Sequence, residues 1–555
     1  MKYSPEQELA IHSPAKRILV SAAAGSGKTR VVVGRAARLL NQGIKPSEMV
    51  FVTFTAAAAK VMRQRLSDTD ARFGINASNA QHVGTLHSYM LKLIRRVNAS
   101  YSVLLPEDAD EILEATAKVF KDKTNSDTLK GMRARWWQES QTLTVARMTP
   151  AQRTLQAYYT RLLADHLLDY DAILWRGLVA LQRMPIESKI GALFVDEFQD
   201  SGDVDMAIYD TITAEYGMFV GDSDQAIYGF RGGRVAHIIA LSKRENWAHV
   251  QLTTNYRSAL KIVATGQRLI RHNQNRITLN SRADRQDDPG IVGLTILGDS
   301  RTHDQSICDA VIQQVASGIP VEEIAVLAAT HSAVWAVSDA LKKADIPVRS
   351  QTKADLPKDW KITRLLLALL AQPNNWGLAE IILRKVNGMD EFEINARRRG
   401  SATPRDHFKL PQIITPEVAL NWLGRLGAGT DSVLAVRKWI DRCRPQDMQE
   451  LHLGVMATDD TEITGNGVYV GTIHSAKGRE WSVVHLAAVE TGVLPFGSQT
   501  DAANIEEQRR LAYVGVTRAR DQLWIYAAKW REFNYGQFSE KKDTGPSLFT
   551  EEMKP

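Results

Sequence analysis

An α/β fold with two parallel sheets, each interrupted by a helical insertion, is what the sequence predicts, and three observations carry that prediction. Short apolar runs such as Arg17-Ile18-Leu19-Val20-Ser21 and Met49-Val50-Phe51-Val52-Thr53 alternate with helical stretches, the pattern of strands buried on both faces. Glycine-rich and carboxylate-rich motifs follow these runs directly, and ligands of parallel sheets gather beyond the strands' carboxyl ends. Finally, 555 residues exceed what one hydrophobic core organises, so two to four domains are expected.

The first strand delivers Ala22-Ala23-Ala24-Gly25-Ser26-Gly27-Lys28-Thr29, and a helix begins with Thr29-Arg30-Val31-Val32-Val33. This is a P-loop with Ala22 in place of its usual first glycine. Gly25 and Gly27 let backbone N–H groups close around phosphates, and the helix N-terminus adds its positive pole. Lys28 is placed to reach the β- and γ-phosphates, and the Thr29 hydroxyl to ligate Mg²⁺. The nucleotide-binding set read here is Ala24, Gly25, Ser26, Gly27, Lys28, Thr29 and Arg30.

The second strand, Met49 to Thr53, leads into a helix expected from Ala56 to Leu66. Leu193-Phe194-Val195 then delivers Asp196-Glu197-Phe198-Gln199-Asp200. Asp196 stands where a magnesium carboxylate belongs, with Thr29 as its companion ligand, and Glu197 where a carboxylate orients and deprotonates attacking water. Met218-Phe219-Val220 delivers Gly221-Asp222. The stretch between Lys28 and Asp196 is longer than a few βα units need, so residues 89–165 are read as a helical insertion.

A second sheet is expected from Gly290-Ile291-Val292-Gly293-Leu294, Ile324-Ala325-Val326-Leu327, Val468-Tyr469-Val470 and Val483-Val484-His485-Leu486. Residues 371–455 interrupt it as a smaller helical insertion. The resulting division is 1–88 with 166–256 for the first sheet domain and 257–370 with 456–540 for the second. The polar residues 541–555 are expected to form a mobile tail.

Composition narrows the class. Hydrophobic residues at 44% and charged residues at 24% describe an ordinary globular protein, and the net charge of +6 suits a polyanionic partner without requiring one. Cys308 and Cys443 make neither a zinc site nor a disulfide framework. With no apolar leader at Met1-Lys2-Tyr3-Ser4-Pro5 and no long apolar run, a cytoplasmic protein without membrane attachment is expected.

Further motifs carry a resemblance to superfamily 1 helicases of the UvrD/Rep/PcrA group. They are Tyr3-Ser4-Pro5-Glu6-Gln7, Thr53-Phe54-Thr55, Gly84-Thr85-Leu86-His87-Ser88, Gly221-Asp222-Ser223-Asp224-Gln225-Ala226-Ile227-Tyr228-Gly229-Phe230-Arg231-Gly232 and Thr254-Asn255-Tyr256-Arg257-Ser258. Gly471-Thr472-Ile473-His474-Ser475-Ala476-Lys477-Gly478-Arg479-Glu480-Trp481 follows, and the series closes with Arg509 to Val514 running into Thr517-Arg518-Ala519.

The resemblance implies two RecA-like domains, ATP in the cleft between them, and single-stranded DNA crossing both. By that resemblance Gln7 would read the adenine edge, Tyr256 stack on adenine, Glu480 touch the ribose, and Gln225 sense the γ-phosphate. Arg257 and Arg518 would reach the γ-phosphate, completing a catalytic set of Lys28, Asp196, Glu197, Gln225, Arg257 and Arg518. DNA contacts would fall to Thr53, Phe54, Thr55, His87, Tyr228, Phe230, Arg231 and His474. Phe54, Tyr228 and Phe230 are candidates for stacking on bases, although an aromatic at a sheet end also serves as core.

The chain departs from the pattern in several places. Gly229 stands where a bulkier residue is common, and Leu494 where some members carry an aromatic. No clear counterpart of the Arg-Gly-Ile-Gly signature is found in the second insertion, the subdomain that in the family regulates unwinding. Arg133, Arg135, Trp136 and Trp137 read as helix packing, with DNA contact as the alternative. The run Arg397-Arg398-Arg399 reads as a solvated surface, with phosphate contact as the alternative.

The implied function is an ATP-dependent 3′-to-5′ DNA helicase or translocase in repair, replication or recombination, acting on single-stranded and tailed duplex DNA. The alternative is a DNA-stimulated ATPase subunit of a larger complex, in a phage or a defence system, with a separate nuclease or a replication or repair protein as partner. The short stretch after Arg518 is expected to hold no nuclease.

Overall fold

The computed structural model describes residues 3–73, 80–97, 101–133, 135–136, 140, 147–183, 190–212, 214–229, 232–350, 359–401, 403–443, 445, 448, 451, 466–535 and 538–554. Two compact units emerge from it. One takes in 1–86, 185–352 and 462–555, and contains both large sheets; the other takes in 87–184 and 353–461 and is almost wholly helical.

In the first unit β1 (Arg17–Ala22), β2 (Met49–Thr53) and β3 (His82–Thr85) belong to a six-stranded sheet. The helical unit contributes the short parallel pair β4 (Ser102–Val103) and β5 (Leu167–Leu168). The six-stranded sheet continues with β6 (Ile190–Val195), β7 (Ala214–Gly221) and β8 (Ala248–Leu252), in the order β3-β2-β6-β7-β1-β8, parallel throughout. β1, β2 and β6 are buried nearly end to end, which is why their sequences read as unbroken apolar runs. Ile18, Val20, Phe51, Phe194 and Val220 pack in one core with Val31, Ala36 and Leu39 of the helix Lys28–Asn41.

A two-stranded link, β9 (Thr254–Asn255) with β10 (Arg282–Ala283), precedes the second sheet. That sheet contains β11 (Ile291–Asp299), β12 (Ile324–Ala328), β13 (Val348–Ser350), β14 (Val468–Thr472), β15 (Trp481–Leu486) and β16 (Ala519–Tyr535), in the parallel order β11-β16-β15-β12-β14-β13. β17 (Phe538–Asp543) folds back antiparallel on β16. Alternate residues of β12 face two cores. Ala325 and Leu327 pack with Ile262, Leu269 and Tyr513, while Ile324 and Val326 pack with Ile307, Val311 and Val337.

The expected mobile tail is a correction. Residues 538–543 are strand and Leu548–Met553 is a helix whose Phe549 is fully buried in the second core. Phe549 and Met553 stand four apart on one helix face, and Arg509 holds Glu552 through two hydrogen bonds of 2.8 Å. The polar composition of this segment hid two apolar anchors.

The insertions also differ from expectation, taking in 87–184 rather than 89–165 and 353–461 rather than 371–455, and packing as one unit. Lys385 pairs with the buried Asp108, and Arg161 with Glu380 at 2.5 Å. A Cβ on Gly377 would stand 2.7 Å from Leu167 Cδ1, so the backbone approaches β5 closely. Arg133 is engaged by Asp110 at 2.8 Å and Asp171 at 3.1 Å, and Trp136 is buried, so both serve helix packing; Trp137 lies outside the described residues. Asp169 caps the helix Tyr170–Arg183 by accepting from the Ala172 N–H at 2.7 Å, and takes a bond from the Tyr158 hydroxyl at 2.8 Å. No helix among the described residues is long and apolar enough to cross a membrane.

The end of the second sheet depends on one buried carboxylate. Glu490 accepts from Arg531 Nε and Nη2, each at 2.8 Å, from Ala528 N at 2.8 Å and from Thr544 Oγ1 at 3.2 Å. Glu490→Ala leaves the Arg531 guanidinium buried without its partner, at a cost of about 3–5 kcal/mol. The thermal midpoint, followed by circular dichroism, is expected to fall on the order of 10 °C, with Glu490→Gln falling less.

Candidate nucleotide site and nucleic-acid interface

The glycines of the loop after β1 are fixed by geometry. Gly25 has φ +68° and Gly27 φ +84°, both left-handed. A Cβ on Gly25 would lie 2.7 Å from Arg257 Cβ and from Asn255 Oδ1, so the loop is packed hard against the segment after β9. A Cβ on Gly27 would meet Gln7 Nε2 at 2.8 Å. Gly27 also caps the helix Lys28–Asn41 without any side-chain hydrogen bond, which leaves first-turn amides available to an anion. Ser26 closes the loop internally, its hydroxyl donating to Ala23 O at 2.7 Å, and Ala24 is buried.

Gln7 occupies both sides of its amide. Oε1 accepts from Ser4 N at 3.1 Å, capping its own helix, and Nε2 donates to Ser26 O at 3.0 Å. Each side keeps one further hydrogen-bonding position, which is where an adenine edge can meet it. Arg30 lies over the Tyr3 ring at 4.6 Å, and Tyr256, 39% exposed, donates its N–H to Gly25 O at 3.0 Å.

Asp196 and Glu197 leave β6 through a turn in which Glu197 has φ +56°, a left-handed conformation that costs a non-glycine residue about 1–3 kcal/mol. Thr29 Oγ1 donates to Asp196 Oδ2 at 3.3 Å, joining the two expected metal ligands. Burial and the charge of Glu197 push the Asp196 carboxyl up. Burial acts on Glu197 in the same sense, but Lys28, Lys477, a bond from Gln199 and Arg518 outweigh it and hold Glu197 low and ionised. Among the described residues no cluster of three His, Cys, Asp or Glu could hold a metal alone. One hydroxyl and one carboxylate, both hard oxygen donors, suit a Mg²⁺ ion that takes its other ligands from substrate phosphates and water.

Gln199 ties this turn to the next strand end. Its Nε2 donates to Glu197 Oε2 at 2.5 Å, and its Oε1 accepts from Asp222 N at 2.9 Å. Gly221 permits the approach, since a Cβ there would stand 2.6 Å from Gln199 Oε1. Asp222 Oδ2 accepts from Gln225 Nε2 at 2.6 Å, and Gln225 Oε1 accepts from Arg518 Nη2 at 3.2 Å. Arg518 is 1% exposed and also donates to Val514 O at 2.9 Å, Arg479 O at 3.2 Å and Thr517 Oγ1 at 3.0 Å. Burial and the neighbouring Arg257 both disfavour its charge, an imbalance that an incoming anion would relieve.

Arg257 donates through Nε to Glu480 and through Nη1 to Thr517 O at 3.2 Å. The expected γ-phosphate arginine and the expected ribose carboxylate are therefore partners of one another. Sequence reasoning also missed Lys477 and Gln199. Lys477 Nζ donates to Asp200 Oδ2 at 2.5 Å and to Gln225 O at 3.0 Å, and lies 3.8 Å from Glu197 Oε2. Both sit inside motifs whose other members attracted attention first.

Of the expected DNA contacts, Phe54 and Tyr228 stack with ring centroids 4.6 Å apart, and His474 lies 6.2 Å from Tyr228. Thr55 is exposed and its hydroxyl caps the following helix by accepting from Ala58 N at 3.1 Å. Thr53 departs from expectation: it is buried, and its hydroxyl donates to Thr55 O at 3.1 Å, so its side chain holds the loop rather than presenting itself. His87, in the helical unit, packs 5.5 Å from Tyr170, and burial lowers its imidazole to about 4. Phe230 and Arg231 lie outside the described residues.

The UvrD/REP helicase N-terminal domain matches residues 3–246, and the UvrD-like helicase C-terminal domain matches 250–395 and 448–530. The chain is similar to ATP-dependent DNA helicase PcrA of Bacillus subtilis, 25% identical over 95% of this chain and 83% of that protein. It is 25% identical to ATP-dependent DNA helicase Rep of Salmonella typhimurium over 100% of this chain and 94% of that one. DNA helicase II of Haemophilus influenzae is 24% identical over 99% and 86%. With both halves matched in order around the sites described, the chain belongs to the UvrD/REP helicase family.

Proposed function

We propose that the protein is an ATP-driven motor that moves 3′ to 5′ along single-stranded DNA and separates duplex, serving repair, replication or recombination in the cytoplasm. The observation that carries this reading is the meeting of the P-loop with arginines of the later motifs. Gly25 abuts Arg257, Arg257 bonds Thr517 O, and the next residue, Arg518, bonds Gln225. A site assembled from distant parts of the chain can respond to nucleotide by moving those parts, which a P-loop alone cannot do.

In this reading the loop amides and Lys28 hold the phosphates of ATP, with Gln7, Arg30, Tyr256 and Glu480 around the nucleoside. Thr29 and Asp196 would hold Mg²⁺, which when bound would neutralise charge on the phosphate oxygens. Glu197, ionised and fixed by Gln199, orients the attacking water and accepts its proton. Arg518 and Arg257 spread their N–H donors over the charge that develops on the transferring phosphoryl group, an effect worth about 10³–10⁵ in rate. Phe54 and Tyr228 supply π-faces that grip any base without sequence preference. A nuclease or a replication or repair protein would be a partner in this work.

Three tests follow from these assignments. Gly25→Ala forces a Cβ into Arg257 and Asn255 at a left-handed φ, and the KM for ATP is expected to rise at least about tenfold. Arg518→Ala is expected to bind a fluorescent ATP analogue while losing about 10³-fold in turnover; wild-type turnover would remove Arg518 from the catalytic set. Strand displacement on 3′- and 5′-tailed duplexes, with Lys28→Ala as inactive control, tests the whole reading. Unwinding of the 3′-tailed duplex alone is the expected result. DNA-stimulated hydrolysis without unwinding of either would mark a translocase subunit that needs its partner.

A further inference from the structure

We propose that Lys477 is a positioning residue that couples the base-stacking aromatics to hydrolysis, a proposal that rests on reading the chain as a single-stranded-DNA-stimulated ATPase. Its ammonium sits where two functions meet. On one side it donates to Asp200 Oδ2 at 2.5 Å and lies 3.8 Å from Glu197 Oε2, the carboxylate assigned to the water. On another it donates to the carbonyl of Gln225, whose side chain receives Arg518. It also lies 5.0 Å over the ring of Tyr228, which stacks on Phe54.

An ammonium has three donors and strong hydration to replace when buried. The Lys477 side chain is only 8% exposed, so its charge must be met by these neighbours. Asp200 and Glu197 do so strongly enough to overcome burial and hold Lys477 protonated. The face of Tyr228 supplies a weaker, adjustable share through its quadrupole. A base that displaces Phe54 from the Tyr228 ring moves or polarises that ring and changes its share, and the ammonium then redistributes between the ring and the carboxylates. Because Glu197 and Asp200 are joined through Gln199 Nε2, at 2.5 and 3.4 Å, the shift reaches the group that orients water. Lys477 acts through Glu197, not on the phosphate.

The experiment measures ATP turnover against oligo(dT) concentration for wild type, Lys477→Gln, Lys477→Arg, Tyr228→Leu and the Lys477→Gln/Tyr228→Leu double variant. Oligo(dT) affinity is measured separately by fluorescence anisotropy. In Lys477→Gln the ratio of DNA-stimulated to unstimulated turnover is expected to fall at least about tenfold, with KM for ATP and the Kd for oligo(dT) within about threefold of wild type. Lys477→Arg, which keeps the charge, retains more stimulation than Lys477→Gln. Tyr228→Leu, which leaves the ion pair in place, lowers the ratio on its own, and the double variant is no worse than the poorer single. Two outcomes overturn the proposal: a ratio unchanged in Lys477→Gln, whether or not the two turnovers fall together, or multiplying effects in the double variant. Wild type without any response to oligo(dT) would overturn the underlying reading as well, and is recognisable because it needs no variant.

Discussion

A buried guanidinium that has to be satisfied donor by donor sets the geometry of the joint between the two sheets. Arg518 takes Val514 O and Thr517 Oγ1 from its own neighbourhood, Arg479 O from the turn after β14, and Gln225 Oε1 from the end of β7. An unpaired buried donor on a charged group is among the most expensive defects a protein can carry. The two strand ends that supply these acceptors are therefore held in register by the arginine's needs. Any ligand that draws Arg518 away must offer replacement acceptors, and the oxygens of a γ-phosphate are suited to do so.

From Gln225 a series of polar contacts leads to Glu197, the carboxylate proposed to orient water. Arg518 donates to Gln225, Gln225 to the Asp222 carboxylate, the Asp222 backbone N–H to Gln199, and Gln199 to Glu197. Side-chain amides suit this series because each offers a donor and an acceptor on different atoms. Glutamate in place of Gln199 would set a second negative charge against Glu197. Leucine would leave the Asp222 N–H unmet.

Much of this was legible in the sequence because parallel strands are buried on both faces. Ile18 to Val20, Val50 to Val52 and Leu193 to Val195 could be read as strands from composition, and the motifs after them fell at the sheet edge. The glycines were legible too, since a left-handed φ and a backbone contact leave little choice at Gly25 and Gly27. Pairings between distant side chains were not. Nothing local to Arg257 names Glu480, and nothing local to Lys477 names Asp200, because both pairs exist only once the sheets are assembled. The docked C-terminal helix was missed for a related reason: two apolar residues, Phe549 and Met553, outweigh a charged composition when both fall on one face. At Thr53 the motif named the residue, but only the structure could show that its side chain is buried.

The helical unit obeys the same rule, that buried charges decide and exposed ones follow. Asp108 is buried against Lys385, and separating them would leave a carboxylate stranded at about 3–5 kcal/mol. Lys361 and Glu107 pair at 3.0 Å with both side chains about half exposed, a contact worth less than about 1 kcal/mol and weakened by salt. Arg161 with Glu380 lies between these extremes. Among the described residues the two insertions are thus tied at the buried Asp108 and at the close approach of Gly377 to Leu167, with the surface pairs adding orientation more than strength. Salt in the ordinary range would loosen the surface pairs and leave that central contact in place.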